Sequence, residues 1–472
     1  MKVLYAVSEA YPFAKSGGLG EVAGEFPAAM KKLGVEIRGI LPLLDTIPEH
    51  WRAEMELETI FTMELALETV TCGLYRLEHD GVTWYFVEND RVFGASRNRE
   101  IGDDKRYAFF SKAVCESLRH LDWRPDIIHC NDWQTALVPI YLRDHLLSHP
   151  GKTPIRTVFT IHNVEFQGDF SYQTLTDVFG LSGILFAQGT MELEGDVNLM
   201  KGAIETADLL TTVSPGYARE ITAPDAAGPL AEVIAAHQVH GIRNGIPDWG
   251  GPAEDPAVYA PYDVDSVEKK VRNKLWMQKC CGLEVREDAP MFGFVGRLLP
   301  RKGLGLLAEV LPEFLKRGCQ LLFAGDGEGE IADLLRSLRE QYPEKVAVMT
   351  YSDERAAELY SSADFLLMPS QEEPCGTAQM QAMRFGVIPV VRATGGLRDT
   401  VVPFDSAHPE GYGFTFTQYS AQNLRDAVSS ALAAYESPET RELLQKRCMR
   451  QDFSWDQPAR EYLALYQSLV KA

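Results

Sequence analysis

Residues 2–42 read KVLYAVSEAYPFAKSGGLGEVAGEFPAAMKKLGVEIRGILP. Lys2–Val7 is a short apolar run that ends in polar residues, the pattern of a strand buried on both faces. Ser8–Gly20 reads as a loop. Glu21–Gly34 reads as a helix closed by its terminal glycine, and Val35–Pro42 returns to a strand. Strand, Gly-rich loop, helix, strand is one βαβ unit, the building block of a parallel sheet. The same reasoning predicts strands at Val82–Val87, Asp126–His129 and Thr157–His162, a helix over Tyr107–Leu121 and another after Trp133.

The pattern restarts near residue 290. Pro290–Val295, Gln320–Ala324, Val346–Thr350, Phe365–Met368 and Val387–Val391 read as strands, with helices over Leu304–Lys316 and Thr377–Phe385. Between the halves, Asn244–Pro261 is rich in Gly and Pro and reads as a loop and a domain boundary. Ala459–Leu469 reads as an amphipathic helix. The fold class is therefore α/β, with two Rossmann-like doubly wound sheets whose strand ends line a central cleft.

Acidic residues outnumber basic ones by 67 to 46, a formal charge of −21. That excludes nucleic acid and an anionic membrane as principal partners, because both require a basic face. A small anion remains admissible if cations and backbone amides cluster locally. The opening MKVLYAVSEAYPF is broken by Ser8, Glu9 and Pro12 too early for a signal peptide or a span. The eight cysteines form no CxxC pair, so no metal site is predicted, and a reducing, cytoplasmic compartment is expected.

The informative loops follow strands. Lys15-Ser16-Gly17-Gly18-Leu19-Gly20 opens a helix, where free amides and the helix dipole favour an anion; a plain turn needing positive φ is the alternative. Arg297 through Arg301-Lys302-Gly303 sets two or three cations at a strand end, a set that fits a diphosphate, against the alternative of a solvated basic loop. Glu372-Glu373-Pro374-Cys375-Gly376 offers carboxylates to sugar hydroxyls or to a cationic transition state, or else an acidic helix cap. Thr394-Gly395-Gly396 adds a third glycine pair, and together the pairs suggest a phosphate-bearing ligand. His162 ends a strand and Asp132-Trp133 follows one; the pair can meet a sugar, or the Asp can cap the next helix. Gly325-Asp326-Gly327-Glu328-Gly329 lacks the last glycine of a nicotinamide fingerprint and reads as a turn.

Taken together, KSGGLGEV, HCNDWQT, VFTIHN, TTVSPGYAREI, IRNGI, GRLLPRKG, FLLMPSQEEPCG, TGGLRDTV and DFSW resemble the bacterial and plant glycogen (starch) synthase family. These are retaining glucosyltransferases of the two-domain GT-B fold. The resemblance implies glucose transfer from ADP-glucose to the non-reducing end of an α-1,4-glucan, without metal or other cofactor. It implies a glucan-side domain over 1–242, joined by a C-terminal helix over 453–472 that crosses back, and a donor domain over 243–452. Carried over residue by residue, Lys15 and Gly18 belong to the loop that closes on the donor phosphates, and Arg297 and Lys302 meet the leaving diphosphate. Glu373, Cys375, Gly376 and Thr377 lie in the loop holding the donor glucose. His162 lies beside the glucose 6-hydroxyl and the anomeric carbon, Asn244 near the donor and Tyr351 against the base. Asp132 and Trp133 line the acceptor side.

The chain departs from the family pattern. Asn131 and Gln134 stand in histidine places, Glu21 replaces an Asp, Thr377-Ala378 follows EPCG, Phe93–Asp104 lacks the usual Pro-Tyr, and Ile246-Pro247-Asp248-Trp249 is irregular. These leave open a related transferase using UDP-glucose or another acceptor, and a non-catalytic glucan-binding homologue.

Overall fold

The computed structural model describes residues 1–94, 101–148, 154–247 and 250–471. Part of the Phe93–Asp104 segment and Asp248-Trp249 lie outside the described residues. The chain forms two compact units, residues 1–245 with 455–472, and residues 246–454. The boundaries predicted from the sequence, 242/243 and 452/453, differ from these joints by a few residues.

The first unit is built on β1 (Lys2–Ala6), β2 (Glu36–Pro42), β3 (Glu56–Leu65), β4 (Glu68–His79), β5 (Val82–Glu88), β6 (Ile127–Asn131) and β7 (Arg156–Ile161). A small antiparallel sheet follows, formed by β8 (Asp169–Phe170), β9 (Glu192–Leu193) and β10 (Asp196–Asn198); the main sheet then adds β11 (Leu209–Thr212) and β12 (Val239–Gly241). The main sheet has the order β12-β11-β7-β6-β1-β2-β5-β4-β3. Seven strands from β12 to β5 are parallel.

The other two correct the wholly parallel reading: β3 and β4 form an antiparallel hairpin, and β4 runs against β5. The reason is exposure. Phe61 and Met63 are buried while Thr62 and Glu64 face solvent, so β3 alternates where the parallel strands are continuous apolar runs.

The helix Gly18–Lys32 covers β1 with Val22, Ala23, Phe26 and Met30. The C-terminal helix Asp456–Lys471 lands on the same core through Ala459, Tyr462, Tyr466 and Leu469, with Tyr462 edge-on to Phe26 at 4.9 Å.

The second unit has β13 (Met291–Val295), β14 (Gln320–Ala324), β15 (Val346–Met349), β16 (Phe365–Met368), β17 (Ile388–Arg392) and β18 (Phe414–Phe416). All neighbours are parallel, in the order β15-β14-β13-β16-β17-β18. The residues of β13, β14 and β16 are buried throughout, and apart from Gln320 at the start of β14 their sequences are apolar runs.

Each sheet has a point where the chain reverses its direction of growth. In the first unit it lies between β1 and β6, in the second between β13 and β16. The carboxyl ends of such strand pairs open a crevice, and α/β folds bind ligands there.

Candidate active site

At the β1/β6 crevice, Asp132 follows β6 and His162 follows β7. Asp132 is a non-glycine residue at φ 55°, a costly conformation held by its surroundings. Its Oδ1 accepts the backbone N–H of His162 at 2.7 Å and that of Asn163 at 3.3 Å. These bonds fix the chain where it leaves β7. Burial pushes the Asp132 carboxyl up to about 7, against the two amide bonds, with Glu9 adding to the rise. Burial holds His162 down to about 3, so its ring is neutral near pH 7. Trp133 packs edge-on against Tyr107 at 5.0 Å.

Behind them, His129 is buried and joined to Tyr466 Oη at 2.5 Å and to Thr160 Oγ1 at 2.6 Å. It too is pushed down to about 3, first by burial and then by His162.

The long helix begins at Gly18, three residues before the Glu21 start read from the sequence, so Gly18-Leu19-Gly20 form its first turn. Sequence reasoning missed the residue that shapes this loop. Glu9 is buried and accepts the Ser16 N–H at 2.6 Å and the Gly20 N–H at 3.1 Å, folding KSGGLG around its own carboxylate. An acidic residue three positions after β1 is the only trace in the sequence. Lys15 pairs with Glu21 at 2.7 Å, the residue that replaces the family's Asp. Asn244 is buried near the joint, its carbonyl bound by Arg243 at 3.0 Å.

At the β13/β16 crevice the structure brings Lys302 and Glu373 together. Lys302 Nζ lies 2.6 Å from Glu373 Oε2 and 2.9 Å from Oε1. Ser370 Oγ donates to Oε2 at 3.1 Å, a contact the sequence reading did not include. The carboxylate is 8% exposed and the lysine 24%, so the pair is sheltered and the ammonium is its accessible half.

Two close approaches build this corner. Gly303 has φ 76°, and a Cβ there would lie 2.0 Å from the carbonyl oxygen of Pro369, so the loop after β13 presses directly on the loop after β16. A Cβ on Gly396 would meet the Cys375 carbonyl at 2.1 Å, and its N–H already bonds Glu373 O at 3.1 Å. Gly395-Gly396 therefore serves a close backbone approach between the loop after β17 and the loop after β16.

Cys375 is buried behind Glu373, Gly376 takes φ 72°, and Thr377 is the cap residue of the helix Ala378–Arg384. The acidic-cap alternative for Glu372 and Glu373 is thereby set aside. Arg297 stands exposed on the same loop as Lys302. Tyr351 follows β15, with its N–H on Asp326 Oδ1 at 3.3 Å and its hydroxyl on Asp353 at 2.7 Å. Gly325–Gly329 is the loop between β14 and the helix Glu330–Gln341.

The starch synthase catalytic domain family matches residues 2–236, and the glycosyl transferases group 1 family matches residues 282–447. A glycogen synthase of Anoxybacillus flavithermus is 39% identical over 475 residues, covering 100% of this chain and 98% of that protein. One from Desulfitobacterium hafniense is 41% identical over 475 residues, 99% of each chain. The catalytic domain of Starch Synthase IV from Arabidopsis thaliana, solved bound to ADP and acarbose, matches with a TM-score of 0.90 at 30% identity over 100% of this chain and 99% of that one. A sucrose-phosphate synthase from Thermosynechococcus elongatus shares the fold at a TM-score of 0.62 and 19% identity, over 99% and 98% of the chains.

Proposed function

The chain belongs to the glycogen (starch) synthase family of glycosyltransferases, and from that premise we propose that it transfers glucose from ADP-glucose to the non-reducing end of an α-1,4-glucan with retention of configuration. The observation that carries this reading is the sheltered Lys302–Glu373 pair at the β13/β16 crevice. The reaction separates charge: negative charge gathers on the departing diphosphate and positive charge on the anomeric carbon. An ammonium and a carboxylate held side by side answer both ends of that separation before it occurs. Lys302, with Arg297 on the same loop, receives the diphosphate. Glu373 faces the sugar, and its contact with Ser370 keeps it oriented as the lysine turns to the phosphate.

On the first unit, Asp132 fixes the chain at the end of β7 and so directs the strand-end carbonyl near His162 toward the anomeric centre. A neutral His162 suits a sugar hydroxyl better than an imidazolium would, since no charge is buried against the ring. Lys15 and Gly18 close on the donor phosphates. Gly376, Thr377 and Cys375 shape the donor-glucose loop, Tyr351 meets the base, and Asn244 lies near the donor. Asp132 and Trp133 form the acceptor side. No opposed carboxylate pair is part of this set, so attack by the acceptor on the face the diphosphate leaves is the route proposed.

The relative captured with ADP and acarbose supports the choice of an adenine donor. The test compares nucleoside diphosphate release from ADP-glucose and UDP-glucose, each with and without glycogen. Glycogen-dependent ADP release well above UDP release is expected. UDP release that matches or exceeds it, or release indifferent to glycogen, would overturn the donor or the acceptor assignment respectively.

A further inference from the structure

Asn131, the last residue of β6, stands where the family resemblance places a histidine. Its amide is held from three sides. Nδ2 donates to the Ala6 carbonyl at 3.0 Å and to the His129 carbonyl at 3.4 Å. Oδ1 accepts from Tyr5 Oη at 3.1 Å and lies 2.9 Å from His162 Nε2. Turning the amide over would set its oxygen against two carbonyl oxygens, so the backbone fixes which end faces His162. An amide oxygen only accepts. His162 Nε2 must therefore carry the proton, which leaves Nδ1 with the lone pair.

We propose that Asn131 is a positioning residue that fixes His162 as the Nε2–H tautomer, so that Nδ1 accepts a hydrogen bond from a donor hydroxyl of the sugar substrate. The tautomer half of this statement stands on the geometry alone; the hydroxyl half rests on the proposed function. The logic is that of a histidine ligand whose second ring nitrogen is tied by a neighbour, which sets what the first can do. An Nδ1–H ring would instead present a donor and select an acceptor, so the side chain at 131 determines the polarity of the contact.

The groups around His162 leave this assignment to Asn131. Asp132 binds the backbone N–H of His162 through the one carboxylate oxygen. His129 has both ring nitrogens engaged by Tyr466 and Thr160. Tyr5 Oη donates to the same Asn131 Oδ1 that faces His162.

The test is a long-range proton–nitrogen correlation spectrum of the full chain labelled with 15N-histidine, without ligand, with His162 assigned by loss of its signals in His162→Gln. The wild type is expected to show a protonated Nε2 and a bare Nδ1. Asn131→Leu is expected to let an Nδ1–H population appear and to lower kcat/KM for the nucleotide sugar roughly 10- to 100-fold, the scale of a misdirected contact. Asn131→Asp keeps an acceptor facing Nε2 and, with its second oxygen protonated toward the Ala6 and His129 carbonyls, keeps a donor there. It is expected to retain the Nε2–H form and to lose less activity than Asn131→Leu. An Nδ1–H ring in the wild type, or a tautomer unmoved in Asn131→Leu, would overturn the proposal; should the leucine variant not fold, the wild-type spectrum and Asn131→Asp decide it. A wild type with the Nε2–H ring and no glucosyl transfer would instead overturn the proposed function and the hydroxyl contact, and leave the tautomer assignment in place.

Discussion

Glu373 and Lys302 are 71 positions apart and meet at 2.6 Å. The sequence identifies each as a charged residue after a strand, but spacing says nothing of their pairing, which arises from two loops of different strands pressed together. The same limit hid Glu9, whose role depends on amides at residues 16 and 20. Strand-end placement made Asp132 and His162 legible as candidates; the strained backbone of Asp132 was not, because nothing in NDWQT distinguishes φ 55° from a helix cap. Glu373→Gln should lower kcat by on the order of 10²-fold, the range for removing one preorganised electrostatic group, measured by initial rates at saturating donor.

The buried histidines give a second prediction with a definite sign. His129 and His162 fall from an ordinary 6.5 to about 3 in the fold. The unfolded chain therefore binds their protons first. The stability they contribute is full above pH 6.5 and is lost as pH falls from there toward 3, while Asp132, raised from 3.8 to about 7, acts in the opposite sense over the upper part of that window. His129→Gln should flatten the slope of unfolding free energy over that window by up to one proton, about 1.4 kcal/mol per pH unit, read from urea unfolding at a series of pH values.

Among the elements, the parallel strands were legible because burial on both faces leaves mostly apolar residues in them, as in QLLFA and FLLM. The hairpin β3–β4 was not, because its ELETIFTMEL half alternates and is rich in Glu. The short β11 and β12 give too little pattern to read. Glycine pairs are ambiguous in a sequence for a physical reason: a cradle for phosphate and a close backbone crossing require the same absent Cβ. Gly303→Ala tests the crossing. It places an alanine at φ 76° with its Cβ against Pro369 O, and should lower unfolding free energy by at least about 1–2 kcal/mol. Because that crossing sets Lys302 beside Glu373, kcat should fall as well, while a variant on the opposite end of the helix Leu304–Lys316 should not reproduce the loss.

At the scale of the whole molecule, two α/β units are threaded by one chain that returns to its first unit with its last helix. Composition and the restart of the βαβ pattern near residue 290 revealed the two units; the buried partners of the returning helix were not legible. Tyr466 pairs with His129 at the centre of the first sheet. Tyr466→Phe leaves a buried ring nitrogen unpaired and should cost about 1–3 kcal/mol in urea unfolding. Ending the chain at residue 454 should strip hydrogen-exchange protection from the helix Gly18–Lys32, whose Phe26 packs on Tyr462, and leave β13–β18 protected. Among the described residues no helix is long and apolar enough to cross a membrane. The most direct test of the account is incorporation of labelled glucose from ADP-glucose into glycogen by the wild type and by Lys302→Ala. The account predicts transfer by the first and a 10²- to 10³-fold lower kcat, on the order expected for a lost transition-state contact, in the second. An unchanged kcat in Lys302→Ala, or no incorporation by the wild type, would contradict it.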